Sequence, residues 1–344
     1  MKFSFKNDYS EGCHPNILEA LIRYNLDQQA GYGEDLYSIK AKELIKEKIN
    51  NQNAGIYFVS GGTQANLIVI SSVLKPYQCV ISASTGHILN NETGAIEATG
   101  HKILSIEKEE GKLSPSDIIP VLENHKNVPH QVMPKLVYIS NSTELGTIYS
   151  KKELEDLSVF CRENSLYLFM DGARLGHALT SESNDLSLED LTNLTDIFYL
   201  GGTKNGALIG EAIIINNQLL QEDFAFNIKQ KGALLAKGRL LGIQFLELMQ
   251  NNLYFDLAKH ANQQAMKIKN ALLKKEIPFL SDTYTNQIFP IVNHELIELL
   301  SEKFEFYIWK NIDENSSAIR LITSWNTNED AVNDFIQIIN DHLK

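Results

Sequence analysis

The 344-residue sequence is poor in cysteine, in long apolar runs and in positive charge, and each shortage removes a class of function. Its three cysteines, Cys13, Cys79 and Cys161, are widely spaced and none lies in a CxxC pair. That excludes a disulfide framework and a zinc finger and leaves no expected metal site. Cys79 and Cys161 stand among apolar residues and are expected to pack in the core. No apolar run approaches the roughly 18 residues that a membrane span needs. Met1-Lys2-Phe3-Ser4-Phe5-Lys6-Asn7-Asp8 lacks the apolar core of a secretion signal. Lys and Arg total 31 against 43 Asp and Glu, a formal net charge of −12. A nucleic-acid partner calls for a basic face, so that class is set aside. The expectation is a cytoplasmic globular protein.

At this length the chain is expected to divide into two domains, 1–250 and 251–344. Between residues 56 and 217 short apolar runs alternate with helical stretches. The strand-like runs are Ile56–Val59, Cys79–Ser82, Lys102–Ile106, Leu136–Ile139, Tyr167–Met170, Asp196–Leu200 and Ala212–Ile215. Near-continuous hydrophobicity of this kind suits strands covered on both faces of a mostly parallel sheet. Helices are predicted over Thr63–Leu74, Ser116–Asn124 and Lys151–Asn164, the first capped by Thr63 and the second started by Ser114-Pro115. The fold class is α/β. Beyond residue 217 the pattern predicts one long helix over Leu219–Gln250 and another over Tyr254–Glu276. A smaller α+β unit follows, with strands over Ile288–Val292, Phe304–Trp309 and Ile319–Ser324 and helices over His294–Glu302 and Glu329–Leu343.

The chemically capable residues cluster just after strand ends, where open α/β sheets bind ligands. Lys204 lies in Gly201-Gly202-Thr203-Lys204-Asn205-Gly206, directly after an apolar run. Asp171 opens Asp171-Gly172-Ala173-Arg174 after another. A lysine amine and an aspartate at neighbouring strand ends are what a pyridoxal phosphate enzyme requires. The amine forms a Schiff base, and the carboxylate keeps the pyridine nitrogen protonated. Gly61-Gly62-Thr63 at a helix start offers free N–H groups and a hydroxyl to an anion. His87 can stack on a planar ring and act as a base, with Glu92 near enough in sequence to orient it, although a lone histidine is more often structural. Arg174 and Arg320 are candidate carboxylate clamps, because a guanidinium fork bonds both oxygens. Arg320 sits in the apolar run Ala318–Ile322, where an ion pair with an acid is the plainer alternative. Gly31-Tyr32-Gly33 begins like a dinucleotide fingerprint but follows no strand and is dismissed.

Together these stretches resemble the low-specificity L-threonine aldolases, fold-type I pyridoxal phosphate enzymes. The resemblance rests on Gly61–Leu67, His87 with Glu92–Ala95, Thr143–Thr147, Asp171–Leu175 and Gly201–Gly206 with Gly210–Ile213. Ile319-Arg320-Leu321 with Ser324-Trp325 extends it into the C-terminal unit. It implies a large domain with a mostly parallel sheet, a small C-terminal domain, and cleavage of L-threonine or L-allo-threonine to glycine and an aldehyde. Lys204 is then the residue bonded to the cofactor, and Asp171 the partner of its ring nitrogen. His87 stacks on the ring, and Gly62, Thr63 and Thr203 hold the phosphate. Arg174 and Arg320 hold the substrate carboxylate, and Asn7-Asp8 approaches the substrate. Lys237 corresponds to a basic residue sent to a phosphate across a subunit boundary, which implies a homo-oligomer, a dimer or a tetramer. Glu144 stands where some members carry a histidine that touches the substrate hydroxyl, so His87, Glu144 and a water remain alternative bases. Another β-eliminating lyase or an aminotransferase would use the same lysine and aspartate, and a nucleotide-binding α/β protein without the cofactor is the competitor from another class.

Overall fold

The computed structural model describes residues 2–342. A two-residue strand, β1 (Phe3–Ser4), is followed by helices α1 (Pro15–Arg23) and α2 (Leu36–Lys48). The hydrophobic pattern does not announce α2. Lys40, Lys42, Glu43, Lys46, Glu47 and Lys48 leave it a thin apolar side, buried through Tyr37, Ala41 and Ile45.

The centre is a seven-stranded sheet of β2 (Gly55–Val59), β3 (Gln78–Ala83), β4 (Lys102–Ile106), β5 (Met133–Ser140), β6 (Tyr167–Asp171), β7 (Ile197–Gly201) and β8 (Glu211–Ile215). Their spatial order is β2-β8-β7-β6-β5-β3-β4. β8 alone runs opposite to the other six strands. Every residue of β3, β7 and β8 is buried, because helices cover both faces. Period-two alternation sorts the side chains. Val137, Leu168, Met170, Phe198 and Ile214 join one core. Leu136, Tyr138, Phe169, Tyr199 and Ile213 join the other.

The connecting helices are α3 (Gly62–Val73), α4 (His87–Asn90), α5 (Pro115–Asn124), α6 (Lys151–Glu163), α7 (Leu175–Leu179) and α8 (Leu188–Leu194). In α6 the Ser150 hydroxyl accepts the Glu153 N–H while the Glu153 carboxylate accepts the Ser150 N–H. Such a cap contributes about 1 kcal/mol. Leu154, Leu157, Ser158 and Cys161 form the buried stripe of α6. All three cysteines are buried.

Several expectations need correction. Thr63 does not cap α3. Gly61 occupies the cap in an extended conformation, and Thr63 is the second helical residue. The long helix over 219–250 is instead α9 (Phe224–Gln230) and α10 (Arg239–Met249), and residues 231–238 with Lys237 form the turn between them. Gly232 takes φ +72°, a left-handed conformation that ends α9 after its last turn. The second long helix, α11 (Leu253–Leu273), stands as expected apart from its frayed ends. In the C-terminal unit the predicted strand over 288–292 is two, β9 (Gln287–Ile288) and β10 (Ile291–Asn293), because Pro290 between them has no N–H to give to a ladder. The predicted strand over 304–309 also divides. β11 (Phe304–Glu305) pairs in parallel with β1, whereas β12 (Tyr307–Asn311) pairs with β13 (Ser316–Ile322). Helices α12 (His294–Lys303) and α13 (Glu329–His342) close the unit, and Leu343 of the predicted last helix lies outside the described residues. Among the described residues no helix is long and apolar enough to cross a membrane.

Candidate active site

The C-terminal ends of β5, β6 and β7 and the start of α3 enclose a cavity of about 340 Å³. Gly62, Thr63, His87, Glu144, Asp171, Arg174, Thr203 and Lys204 all line it, residues drawn from across 140 positions of sequence. Close backbone approach makes this possible. The Gly201 N–H donates to the Gly172 carbonyl at 3.0 Å, and a Cβ on Gly172 would stand 1.7 Å from the Tyr199 carbonyl oxygen.

Asp171, the last residue of β6, lies on the sheet face that packs on α3. Its two carboxylate oxygens accept four donors. Tyr138 of β5 and Asn66 of α3 donate to Oδ2 at 2.6 and 3.0 Å. Tyr199 of β7 and the Ala173 N–H donate to Oδ1 at 2.5 and 3.0 Å. Burial alone would raise the carboxyl pKa, but the Tyr138 and Tyr199 hydroxyls, with His87 nearby, outweigh it and hold Asp171 below its ordinary value. The site therefore carries a fixed negative charge in an apolar setting.

His87 begins α4, and its Nδ1 is 2.8 Å from Glu92 Oε1. Asn66 Nδ2 donates to that same Glu92 oxygen at 2.7 Å. His87, Glu92, Asn66 and Asp171 thus form one chain of hydrogen bonds beneath the cavity. Glu144 Oε1 accepts the His87 N–H at 2.9 Å and the Ser140 hydroxyl at 2.8 Å, and burial raises its pKa. Lys204 follows β7 in a tight turn, and burial, with Arg174 next, lowers its pKa. Beside it Glu211, the first residue of β8, accepts the Gly202 N–H at 2.9 Å, and burial raises its pKa.

Arg174 is already engaged. Its Nε and Nη2 donate to Asp8 at 2.7 and 2.9 Å, and Asn286 Nδ2 donates to Asp8 at 2.9 Å. Burial would raise the Asp8 pKa, yet Arg174 and Lys204 hold it far below the carboxylate range. Three expected residues do not line the cavity. Asn7 turns its Oδ1 back to the Tyr9 N–H, while Tyr9 itself lines the rim. Lys237 is exposed in the turn before α10, beside the Gly31–Gly33 loop. Arg320, on β13, lies outside the lining but close enough to Arg174, Asp8 and Tyr9 for their charges to act on it. Tyr138, Tyr199, Asn66 and Glu211 belong to the site without having been expected as site residues, whereas the pairing of Asp8, expected near the substrate, with Arg174 was not foreseen. For the tyrosines the alternation offered a signal, since Tyr138, Tyr199 and Asp171 share the parity of the α3 face.

The donor set fits pyridoxal phosphate. The extended Gly61 and the first turn of α3 leave N–H groups free for a phosphate, with the Thr63 and Thr203 hydroxyls beside them. A Cβ on Gly62 would approach the Tyr199 hydroxyl to 3.1 Å, so the glycine keeps that floor open. Lys204 and Asp171 supply the amine and the anion. Comparison with known proteins decides the family: residues 7–295 match the beta-eliminating lyase family. The chain belongs to that family. A low-specificity L-threonine aldolase of a Pseudomonas species is 31% identical over 94% of this chain and 93% of its own length. The Pseudomonas aeruginosa counterpart is 30% identical over 97% and 96%. The structure of Leishmania major threonine aldolase superimposes with a TM-score of 0.98 at 46% identity, covering 99% of this chain and all of that one. A Thermus thermophilus aspartate aminotransferase, 14% identical, matches with a TM-score of 0.72 over 99% of this chain and 91% of its own, a likeness of fold alone. This beta-eliminating lyase family member therefore has the α/β architecture of the fold-type I enzymes.

Proposed function

We propose that this chain is a pyridoxal phosphate-dependent aldolase that cleaves L-threonine, L-allo-threonine and related β-hydroxy-α-amino acids to glycine and an aldehyde. The observation that carries the reading is the convergence of Lys204, Asp171 and His87 on one cavity whose floor suits a phosphate. The names of the Pseudomonas and Leishmania relatives support the choice of substrate.

When bound, pyridoxal phosphate supplies an electron sink for the pair left on Cα as a bond to that carbon breaks. Each residue then has a physical task. Lys204 provides the amine for covalent attachment, and Gly62, Thr63 and Thr203 hold the phosphate. Asp171 keeps a proton on the ring nitrogen, since a buried carboxylate with four donors retains its charge. His87 stacks on the ring. With Nδ1 directed to Glu92, its Nε2 is the nitrogen left to take the substrate hydroxyl proton. Glu144, its pKa raised by burial, is the alternative holder of that proton. Arg320, and the Nη1 edge that Asp8 leaves free on Arg174, hold the substrate carboxylate, with Asn7 near the same end.

The reading extends to a cytoplasmic homo-oligomer, a tetramer, in which Lys237 reaches a neighbour's phosphate. Three reduced, buried thiols suit the cytoplasm. On α1, Ile17 and Ala20 are buried while Leu18, Ile22 and, past the helix, Leu26 stand 47%, 78% and 90% exposed, an apolar face suited to a second copy. The domain division at residues 250 and 251 falls just before α11. The deciding experiment incubates the cofactor-loaded protein with L-threonine, L-allo-threonine and phenylserine. Equimolar glycine and aldehyde are expected, and ammonia with a keto acid in their place would overturn the assignment.

A further inference from the structure

Arg320 is a cation without an acid. None of the ion pairs among the described residues includes it, and its buried Nε has no hydrogen-bond partner. Its one contact to the backbone is a long 3.5 Å approach of Nη2 to the Lys6 carbonyl. Asp8, a carboxylate whose charge acts on it, is engaged by Arg174 and Asn286. What holds the guanidinium is aromatic. Its central carbon lies 5.2 Å from the ring centre of Tyr307 and 4.8 Å from that of Trp309. Rings placed over a guanidinium face attract it and leave its in-plane N–H edge available.

The backbone is shaped to bring this about. Tyr307 is the direct cross-strand partner of Arg320, and Ile308 pairs with Ile319, but Lys310 then pairs with Ala318. Trp309 is the extra residue of a β-bulge. Such an insertion re-aims one side chain while the ladder continues on either side. Trp309 is further backed by the fully buried Phe289, with ring centres 5.4 Å apart at 62°. That contact helps fix the indole. Tyr307 and Trp309 are still 46% and 37% exposed, so tertiary packing does not otherwise require large rings there.

We infer that Tyr307 and the bulged Trp309 are positioning residues that hold the Arg320 fork edge-on for the α-carboxylate of the substrate, whose negative charge supplies the partner the fold withholds. This rests on the aldolase reading above. It adds a specificity rule: the site selects α-amino acids by an arginine oriented by rings rather than by a protein carboxylate. An acid in their place would occupy the fork and compete with substrate. The rings orient the cation without neutralising it.

The test compares Tyr307→Leu/Trp309→Leu with Tyr307→Phe/Trp309→Phe in cofactor-loaded protein. It reads glycine affinity from the absorbance change of the bound cofactor, and KM and kcat for L-threonine. The leucine pair should raise the glycine dissociation constant and the threonine KM roughly tenfold, the scale of two ring–cation contacts. Its kcat should change by less than about twofold and its cofactor affinity not at all, since neither ring belongs to the cofactor pocket. The phenylalanine pair should recover binding to within about threefold, because it keeps the rings. In an Arg320→Leu background the leucine pair should add nothing. Unchanged glycine binding in the leucine pair, or a further loss in the Arg320→Leu background, would overturn the inference. Failure of the parent protein to release glycine from threonine would instead count against the aldolase reading, and the two outcomes are separable.

Discussion

At the scale of single residues, the site is governed by which charges survive burial. Asp171 remains ionised because four donors, two of them tyrosine hydroxyls, outweigh the cost of leaving water. Asp171→Asn should therefore keep the cofactor but lose turnover by a factor on the order of a hundred or more, since a neutral amide no longer holds the ring nitrogen protonated. Absorbance of the bound cofactor and a threonine cleavage assay check the two halves. Near-normal turnover would reduce Asp171 to a strand-end cap. His177 of α7 is the opposite case. Both of its ring nitrogens are buried without partners, and burial, only partly offset by Asp8, depresses its pKa from 6.5 to about 4. Between those values the unfolded chain binds the proton that the folded protein refuses. Stability is then complete above about pH 6.5 and drains away as the pH falls toward 4, by roughly 3 kcal/mol in all. Denaturant titrations at a series of pH values should show His177→Leu losing less stability than the parent across that window. Parallel curves would mean that the imidazole finds a partner in solution.

At the scale of elements, the sheet is assembled around backbone contacts that tolerate no side chain. Gly172→Ala would drive a methyl group into the Tyr199 carbonyl, separating β6 from β7 where Asp171 and Lys204 must stay in register. A loss of roughly 3 kcal/mol is expected, read as a lower urea midpoint, together with weaker cofactor retention. Unaltered values would show that the strand ends can part freely. The same contrast explains what was legible in the sequence. Six of the seven central strands could be read to within one residue of their ends, and β5, which starts at Met133 rather than Leu136, to within three, because burial on both faces forces continuous apolar runs. Lys204, Asp171 and Arg174 were visible because strand ends carry polar residues against that apolar background. Residues 219–250 misled because a helical period continues through Gly232, and only a left-handed backbone there, with packing against the Gly31–Gly33 loop, stops the helix. Tyr138 and Tyr199 resemble core residues until strand register brings their hydroxyls to Asp171. The resemblance placed Asp8 near the substrate, but its pairing with Arg174 was masked by distance in sequence.

At the scale of the whole molecule, the bare face of α1 predicts association. Ile22→Glu, a charge set at the more exposed of the two exposed large apolar side chains of that helix, should lower the mass measured by light scattering without unfolding the chain. If the site is shared between copies, threonine cleavage should fall with it, and an unchanged mass would place the contact elsewhere. The monomer also contains a loop in time. Phe3 and Ser4 pair with Phe304 and Glu305, the Ile322 N–H donates to the Phe5 carbonyl, and Asp8 reaches both Arg174 and Asn286. Residues 3 to 5 are held by residues 304, 305 and 322, so these contacts wait until those later positions have been made. Until synthesis passes residue 322, the segment that carries Asp8 toward Arg174 lacks its full set of backbone partners. The carboxylate end of the cavity is thus a late product of translation, completed only once β11 and β13 have received the segment that precedes Asp8.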